Sequence, residues 1–184
     1  LGRATLSEHE SKELIAAWGV PITRELRAAS AREAVAAAGS IGYPVALKVD
    51  SPHILHKTEA GAIRLGLSND AQVRKAFAEV MLRARAYSPD AVINGALVQE
   101  MVPGGVEVIV GVSYDDQLGP VLLFGSGGVM VEVYHDVALR HCPVTRSEAL
   151  TMVSQVRGAR LLQGFRGRPA ADVEALADTL VRVS

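Results

Sequence analysis

Cysteine is almost missing from this chain, and the single one, Cys142, excludes an internal disulfide and any cysteine-rich zinc site, which fits a reducing compartment. Aromatic residues are scarce at 4 %, so a core has to be assembled mainly from alanine, valine and other aliphatics. Neither sign of charge dominates. Nineteen Lys and Arg stand against twenty Asp and Glu, for a net charge of -1, and no basic run occurs. Nucleic-acid binding therefore has little electrostatic support. No apolar run approaches the roughly 18 residues that a membrane span needs, and no charged-then-apolar leader is visible. The expectation is a cytoplasmic protein with no membrane and no nucleic-acid partner, and its 184 residues allow one domain or two small lobes.

Lysine is also rare, and its placement is informative. The chain has four lysines and five histidines, yet Lys48, Lys57, His53 and His56 all fall within the 25 residues from Tyr43 to Leu67. This stretch reads as an apolar strand (Val45, Leu47, Val49) carrying Lys48, then a polar loop, then a second strand (Ile63, Leu65, Leu67). An ammonium inside an apolar strand is costly to bury unless an anion meets it, which makes Lys48 a candidate phosphate ligand.

In chain order, Ser7-Glu8-His9-Glu10 is a capping box ahead of an amphipathic helix with Leu14, Ile15 and Trp18 on one side, stopped by Gly19 and Pro21. Ile22-Thr23 offers a short strand. Ser30 to Glu33 is a second capping box, opening an alanine-rich helix that ends near Gly39. Asn69 offers a cap for a helix whose stripe runs through Val73, Phe77, Val80 and Ala84 to Ser88-Pro89. Residues 20–90 thus alternate α and β and predict a sheet with helices against it. From Ala96 onward, four strand-like runs (ALVQEM, GVEVIVGVSY, GPVLLFG, GVMVEVY) with glycine and aspartate turns predict an antiparallel meander. Thr145 to Glu148 is a third capping box, and Val173, Leu176, Ala177 and Leu180 mark a last helix. The fold class expected is α/β (α+β), with one lobe over residues 1–95 and another over 96–184.

The runs EHESKELIAAWGVPI, YPVALKVDSPHILHKTEAGAIRLGL, VQEMVPGGVEVIVGV and GPVLLFGSGGVMVEVYHDVALRHCPV, in this order and over almost the whole chain, resemble the ATP-grasp, β-subunit-like part of ADP-forming acyl-CoA synthetases, relatives of succinyl-CoA synthetase. The resemblance implies a two-lobed ATP-grasp fold that clamps ATP, and a ligase interconverting acyl-CoA, ADP and phosphate with acid, CoA and ATP through phosphohistidine. Its partners would be CoA-binding and CoA-ligase domains of the same protein or of an α subunit. His56 matches the phosphoryl carrier, and an unprotonated imidazole on a movable loop suits that task. The bland alternative is a solvated loop histidine. His53 is read as ordering the loop.

Lys48 and Lys57 would neutralise the phosphates of ATP, with a solvated loop charge as the alternative for Lys57. Gly61 would let backbone approach phosphate, although Ala62 stands where many relatives have a second glycine. Backbone groups of Glu100 and Val102 would read the adenine edge, Met101 would pack on its ring, and Glu107 would sit near the ribose or be an exposed strand glutamate. The turn Gly125-Ser126-Gly127-Gly128 lacks a Walker lysine and is read as a hairpin or a loop near the phosphates. Glu132 and Asp136 are candidate Mg²⁺ contacts and Arg140 a candidate for steadying the phosphoryl group, against the alternative of a charged strand edge. Relatives continue into an Asn-Pro-Leu segment and an aspartate strand that supply the principal Mg²⁺ ligands. The chain stops at Ser184, so the expectation is a piece of a longer polypeptide that binds MgATP weakly alone. A second reading of different class is a regulatory module of the kind fused to protein acetyltransferases.

Overall fold

The computed structural model describes residues 6–184, and for Val129, Met130 and Glu132 it describes the main chain only. Two compact units emerge: one holds the N-terminal residues through Ala17 with Pro21–Pro103, the other Trp18–Val20 with Gly104–Ser184. The division falls after Pro103 rather than after residue 95, because the ALVQEM run is hydrogen-bonded into the first sheet.

Unit 1 is built on four antiparallel strands, β1 (Glu25–Ala28), β2 (Val45–Asp50), β3 (Ile63–Leu67) and β4 (Gly95–Glu100), in the spatial order β1-β4-β2-β3. The two-residue period of a strand sorts their side chains onto two faces. Val45, Leu47 and Val49, with Ala96 and Val98, join a core closed by two helices, α2 (Ala31–Ile41) and α3 (Asp70–Tyr87). Alternate residues Ala46, Lys48 and Asp50 lie on the other face. The register there sets Glu25 and Ala46 opposite Gln99, and Arg27 and Lys48 opposite Leu97.

That second face is polar, and the first helix, α1 (Glu8–Ala17), reaches it through charged side chains. The capping box at Ser7 forms as expected: Ser7 N–H donates to Glu10 Oε2 at 2.8 Å and Glu10 N–H to Ser7 Oγ at 3.3 Å. None of the residues of α1 is buried, and Leu14, Ile15 and Trp18 are 52 %, 39 % and 68 % exposed, so the apolar stripe does not seat the helix. The short strand expected at Ile22-Thr23 lies slightly later, as β1. Helix α2 continues through Gly39 and stops at Gly42, whose φ of 98° supplies the left-handed cap.

Unit 2 contains a meander of β5 (Val108–Asp115), β6 (Gly119–Ser126) and β7 (Val137–His141). Leu122 and Phe124 of β6 are fully buried against Met152 of α5 (Arg146–Gln155), Leu162 of α6 (Ala159–Leu162) and Leu180 of α7 (Val173–Val183). The GVMVEVY run, expected as a strand, is instead the short helix α4 (Val129–Tyr134). Its alternating apolar residues suit a strand, but the segment that pairs with β6 after β5 is the later β7. Among the described residues, no helix is long and apolar enough to cross a membrane.

Two glycines separate backbone requirement from mere tolerance. Gly95 sits at φ 132° and an added Cβ would lie 2.5 Å from the Ala28 carbonyl oxygen, whereas Gly39 lies inside α2 with open space around it. Gly95→Ala is expected to cost unit 1 at least about 2 kcal/mol. Gly39→Ala should add about 0.5–1 kcal/mol, both read from urea unfolding midpoints.

Candidate anion-binding site

Three ammonium groups converge on one carboxylate in unit 1. Lys48 Nζ donates to Glu8 Oε1 at 2.5 Å, Lys12 Nζ lies 3.0 Å from the same oxygen, and Lys57 Nζ lies 3.0 Å from Oε2. The strand period puts Lys48 on the polar face, the helical turn puts Glu8 and Lys12 one above the other on α1, and the loop after β2 returns Lys57 to them. All four side chains are 13–23 % exposed. Lys12 is held further by Glu25 Oε2 at 2.6 Å, Gln99 Oε1 at 3.0 Å and Thr23 Oγ1 at 3.3 Å. Burial alone would raise the Glu8 pKa, but the bonds and charges of Lys48, Lys12 and Lys57 outweigh it and bring the group down to about 2. Burial would likewise lower that of Lys12, and its bonds to Glu25 and Glu8 reverse the direction.

Lys12 and Glu8 were absent from the sequence reading of the site. The spacing of four within Glu8-His9-Glu10-Ser11-Lys12 signals only a helical ion pair; nothing local shows that it meets Lys48. His9 places Nδ1 at 2.9 Å from Glu25 Oε1.

The loop between β2 and β3 separates its two histidines by function. His53 Nδ1 accepts a hydrogen bond from Val92 N–H at 3.1 Å, tying the loop to the segment before β4. The His56 side chain is 73 % exposed, with Glu59 Oε1 at 4.0 Å. Its neighbour Lys57 is fixed on Glu8, so an exposed imidazole follows the chain next to an anchored ammonium. Gly61 adopts φ 61°, and an added Cβ would come within 3.1 Å of the Arg83 side chain. Its conformational freedom serves this turn. The Ala62 methyl is fully buried in the core of unit 1, so the departure from a second glycine takes up no space on the loop surface.

The segment expected to read adenine is partly engaged within unit 1. Glu100 N–H already donates to the Arg24 carbonyl at 3.0 Å, and its carboxylate accepts from Arg24 N–H at 2.7 Å and from Nε at 2.8 Å. That donor is thus committed to pairing with the chain before β1 and is not open to a base. Val102 is 64 % exposed and Met101 half-buried. At the end of β2, Asp50 is buried with Arg27 Nη2 at 2.8 Å from Oδ2, although neither carboxylate oxygen has a well-formed hydrogen bond.

In unit 2, Glu107 is exposed while Val106 and Val108 pack toward the core, as the strand alternation implied. Glu107 lines a cavity of about 750 Å³ together with Gly125, Ser126, Gly127, Phe165 and Arg166. The Gly127 N–H donates to the Glu107 carbonyl at 2.8 Å, which makes the glycine turn a close backbone packing. Asp136 does not act as a free metal ligand: Oδ1 accepts from Arg157 N–H at 2.7 Å, and Oδ2 from Gly158 N–H at 2.9 Å and Ser126 Oγ at 2.8 Å. Burial would raise its pKa, and these donors together hold it lowered. Arg140 donates to the Leu139 carbonyl and to Gln155 Oε1, each at 2.7 Å, a link between β7 and α5. The Glu132 side chain lies outside the described residues. Among the described residues no group of three or more His, Cys, Asp or Glu is placed to hold a metal ion, and the committed Asp136 oxygens do not fit Mg²⁺.

Unit 1 is thus an α+β unit that gathers three ammoniums on one carboxylate, that of Lys57 next in sequence to an exposed imidazole, and unit 2 carries a glycine-lined cavity. The chain belongs to the ATP-grasp family, whose profile, described as ATP-grasp domain, matches residues 1–184. It is 42 % identical over 178 residues to the β subunit of acetate–CoA ligase (ADP-forming) I of Pyrococcus furiosus, covering 97 % of this chain and 77 % of that one. It is 45 % identical over 175 residues to acetate–CoA ligase (ADP-forming) I of Archaeoglobus fulgidus, covering 95 % of this chain and only 25 % of that one. Among solved structures, the dinucleotide-forming acetyl-coenzyme A synthetase 1 of Ca. Korarchaeum cryptofilum, in complex with coenzyme A, Ca-AMPCP and HgCl⁺, superposes with a TM-score of 0.96 at 42 % identity, covering 99 % of this chain and 80 % of that chain. The same protein with coenzyme A and Mg-AMPPCP, its phosphohistidine segment pointing towards the nucleotide-binding site, gives 0.84 at 39 %, covering 99 % and 78 %. These relatives are ADP-forming acid–CoA ligases, and this chain corresponds to their ATP-grasp part.

A carboxyl group whose folded pKa lies below its unfolded value stabilises the fold above the unfolded value and loses that contribution as pH falls toward the folded one. For Glu8 the window runs from the ordinary 4.5 down to about 2. Across it, the melting temperature of the wild type should fall more steeply than that of Glu8→Gln, measured by circular dichroism.

Proposed function

We propose that this chain is the nucleotide-binding part of an ADP-forming acyl-CoA synthetase, with His56 relaying the phosphoryl group between ATP and a partner CoA-ligase domain or α subunit. The observation that carries this reading is an imidazole 73 % exposed, next in sequence to a lysine that shares one anion with Lys48. In the direction of histidine phosphorylation, a ring nitrogen of His56 attacks the γ-phosphorus of ATP. The N–P bond forms, the bond from phosphorus to the bridging oxygen breaks, ADP leaves, and the ring N–H proton passes to solvent. Lys48 and Lys57 supply charge that offsets the phosphate oxygens against an incoming nucleophile. The exposed Val102 and Met101 are the candidates for the base. The main-chain groups of Val102 make no hydrogen bond with other described residues, which leaves them open to an adenine edge. Mg²⁺ would arrive with the nucleotide and supplies charge neutralisation when bound. A CoA ligase, rather than a regulatory copy, is the reading favoured by relatives that carry ligase names.

The full-length protein incubated with ATP labelled in its γ-phosphate should acquire an acid-labile, base-stable label that is lost in His56→Ala and kept in His141→Ala. Lys48→Ala should slow labelling about a hundredfold. A label that survives His56→Ala would end this assignment.

A further inference from the structure

The geometry around Glu8 asks two oxygens to serve three ammoniums. Lys48 and Lys12 share Oε1 at 2.5 and 3.0 Å, and Lys57 takes Oε2 at 3.0 Å. A terminal phosphoryl group offers three oxygens, one for each cation. The bonding of the three lysines is also unequal. Among the described residues, Glu8 is the one acceptor for Lys48 and for Lys57, whereas Lys12 is kept in place by Glu25, Gln99 and Thr23. If the Glu8 side chain turns away, Lys12 therefore stays put while Lys48 and Lys57 are left 13–15 % exposed with no counter-charge. Such a state is unfavourable unless another anion enters.

Charge counting leads to the same place. Lys12, Lys48 and Lys57 against Glu8 and Glu25 leave a net charge of +1; without Glu8 the cluster carries +2, the complement of a phosphoryl dianion. Glu8 itself is 23 % exposed, on a helix with no buried residue.

We propose that the Glu8 carboxylate is a built-in stand-in for a phosphoryl group, displaced when a phosphorylated ligand binds, and that Lys12 is the third ammonium of that binding site. The inference rests on the reading of Lys48 and Lys57 as phosphate ligands and adds to it a competing anion and a third cation. Its consequence is that Glu8 weakens ligand binding while keeping the lysines gathered in the empty protein.

Calorimetric titration of the full chain with pyrophosphate and with ATP at low salt tests this. Glu8→Gln should tighten pyrophosphate binding about tenfold, the order expected for removing one partly exposed charge from the site. Lys12→Met should weaken it by a similar factor. Should Glu8→Gln melt out, Glu8→Asp keeps the charge but withdraws its oxygens by one methylene, and should show a smaller gain. Unchanged or weaker pyrophosphate binding in a folded Glu8 variant overturns the proposal, as does unchanged binding in Lys12→Met. The outcome is separable from that of the function: a label that survives His56→Ala, together with a gain in Glu8→Gln, condemns only the relay. A preserved His56 label with no gain condemns only the stand-in.

Discussion

The structure of unit 1 hangs on a charge constraint: three ammoniums are held within 2.5–3.0 Å of the Glu8 carboxylate on the polar face of its sheet. An isolated ammonium in such a place is costly to hold away from water. Paired, it stays charged and aimed. The same bonds attach α1, a helix with no buried residue, so the element that supplies the anion is itself held by the cations it gathers.

Behind that face, the architecture is conservative. One side of the sheet is an aliphatic core of small residues beneath α2 and α3, rigid enough to fix the Lys48 backbone. The loop that follows is tied at His53 to Val92 and at Lys57 to Glu8, leaving His56 exposed between two anchored points. Unit 2 contributes a different surface, a cavity lined by glycine backbone, Glu107, Phe165 and Arg166, with Asp136 consumed in holding the chain at Arg157 and Gly158. That commitment separates structural from chemical carboxylates better than exposure or spacing does.

Much was legible in the residues themselves. The capping boxes at Ser7 and Thr145, the Ser30 cap, the α3 stripe, the lysine strand and its histidine loop all follow from patterns within a dozen residues, because caps and periodicity are local physics. The misreadings share one cause. A strand is expected at GVMVEVY on β-favouring residues, but the partner that β6 takes beside β5 is the later segment β7, and the run folds as α4. The ALVQEM run was assigned to the second lobe by proximity along the chain, while its hydrogen bonds go to β1 and β2. At Glu100 the partner also lies far back in sequence: the Arg24 carbonyl takes its N–H, and Arg24 N–H and Nε donate to its carboxylate.

The sequence by itself determined the family, the alternation that puts Lys48 apart from Val45, Leu47 and Val49, and the loop that carries His56. Only the tertiary structure decided that Glu8 and Lys12 belong with Lys48 and Lys57, and that Asp136 and Glu100 are already engaged. The physical reason is range. Periodicity and capping act between neighbours in the chain, whereas a carboxylate's partners are chosen by distance in space, which the order of residues does not contain.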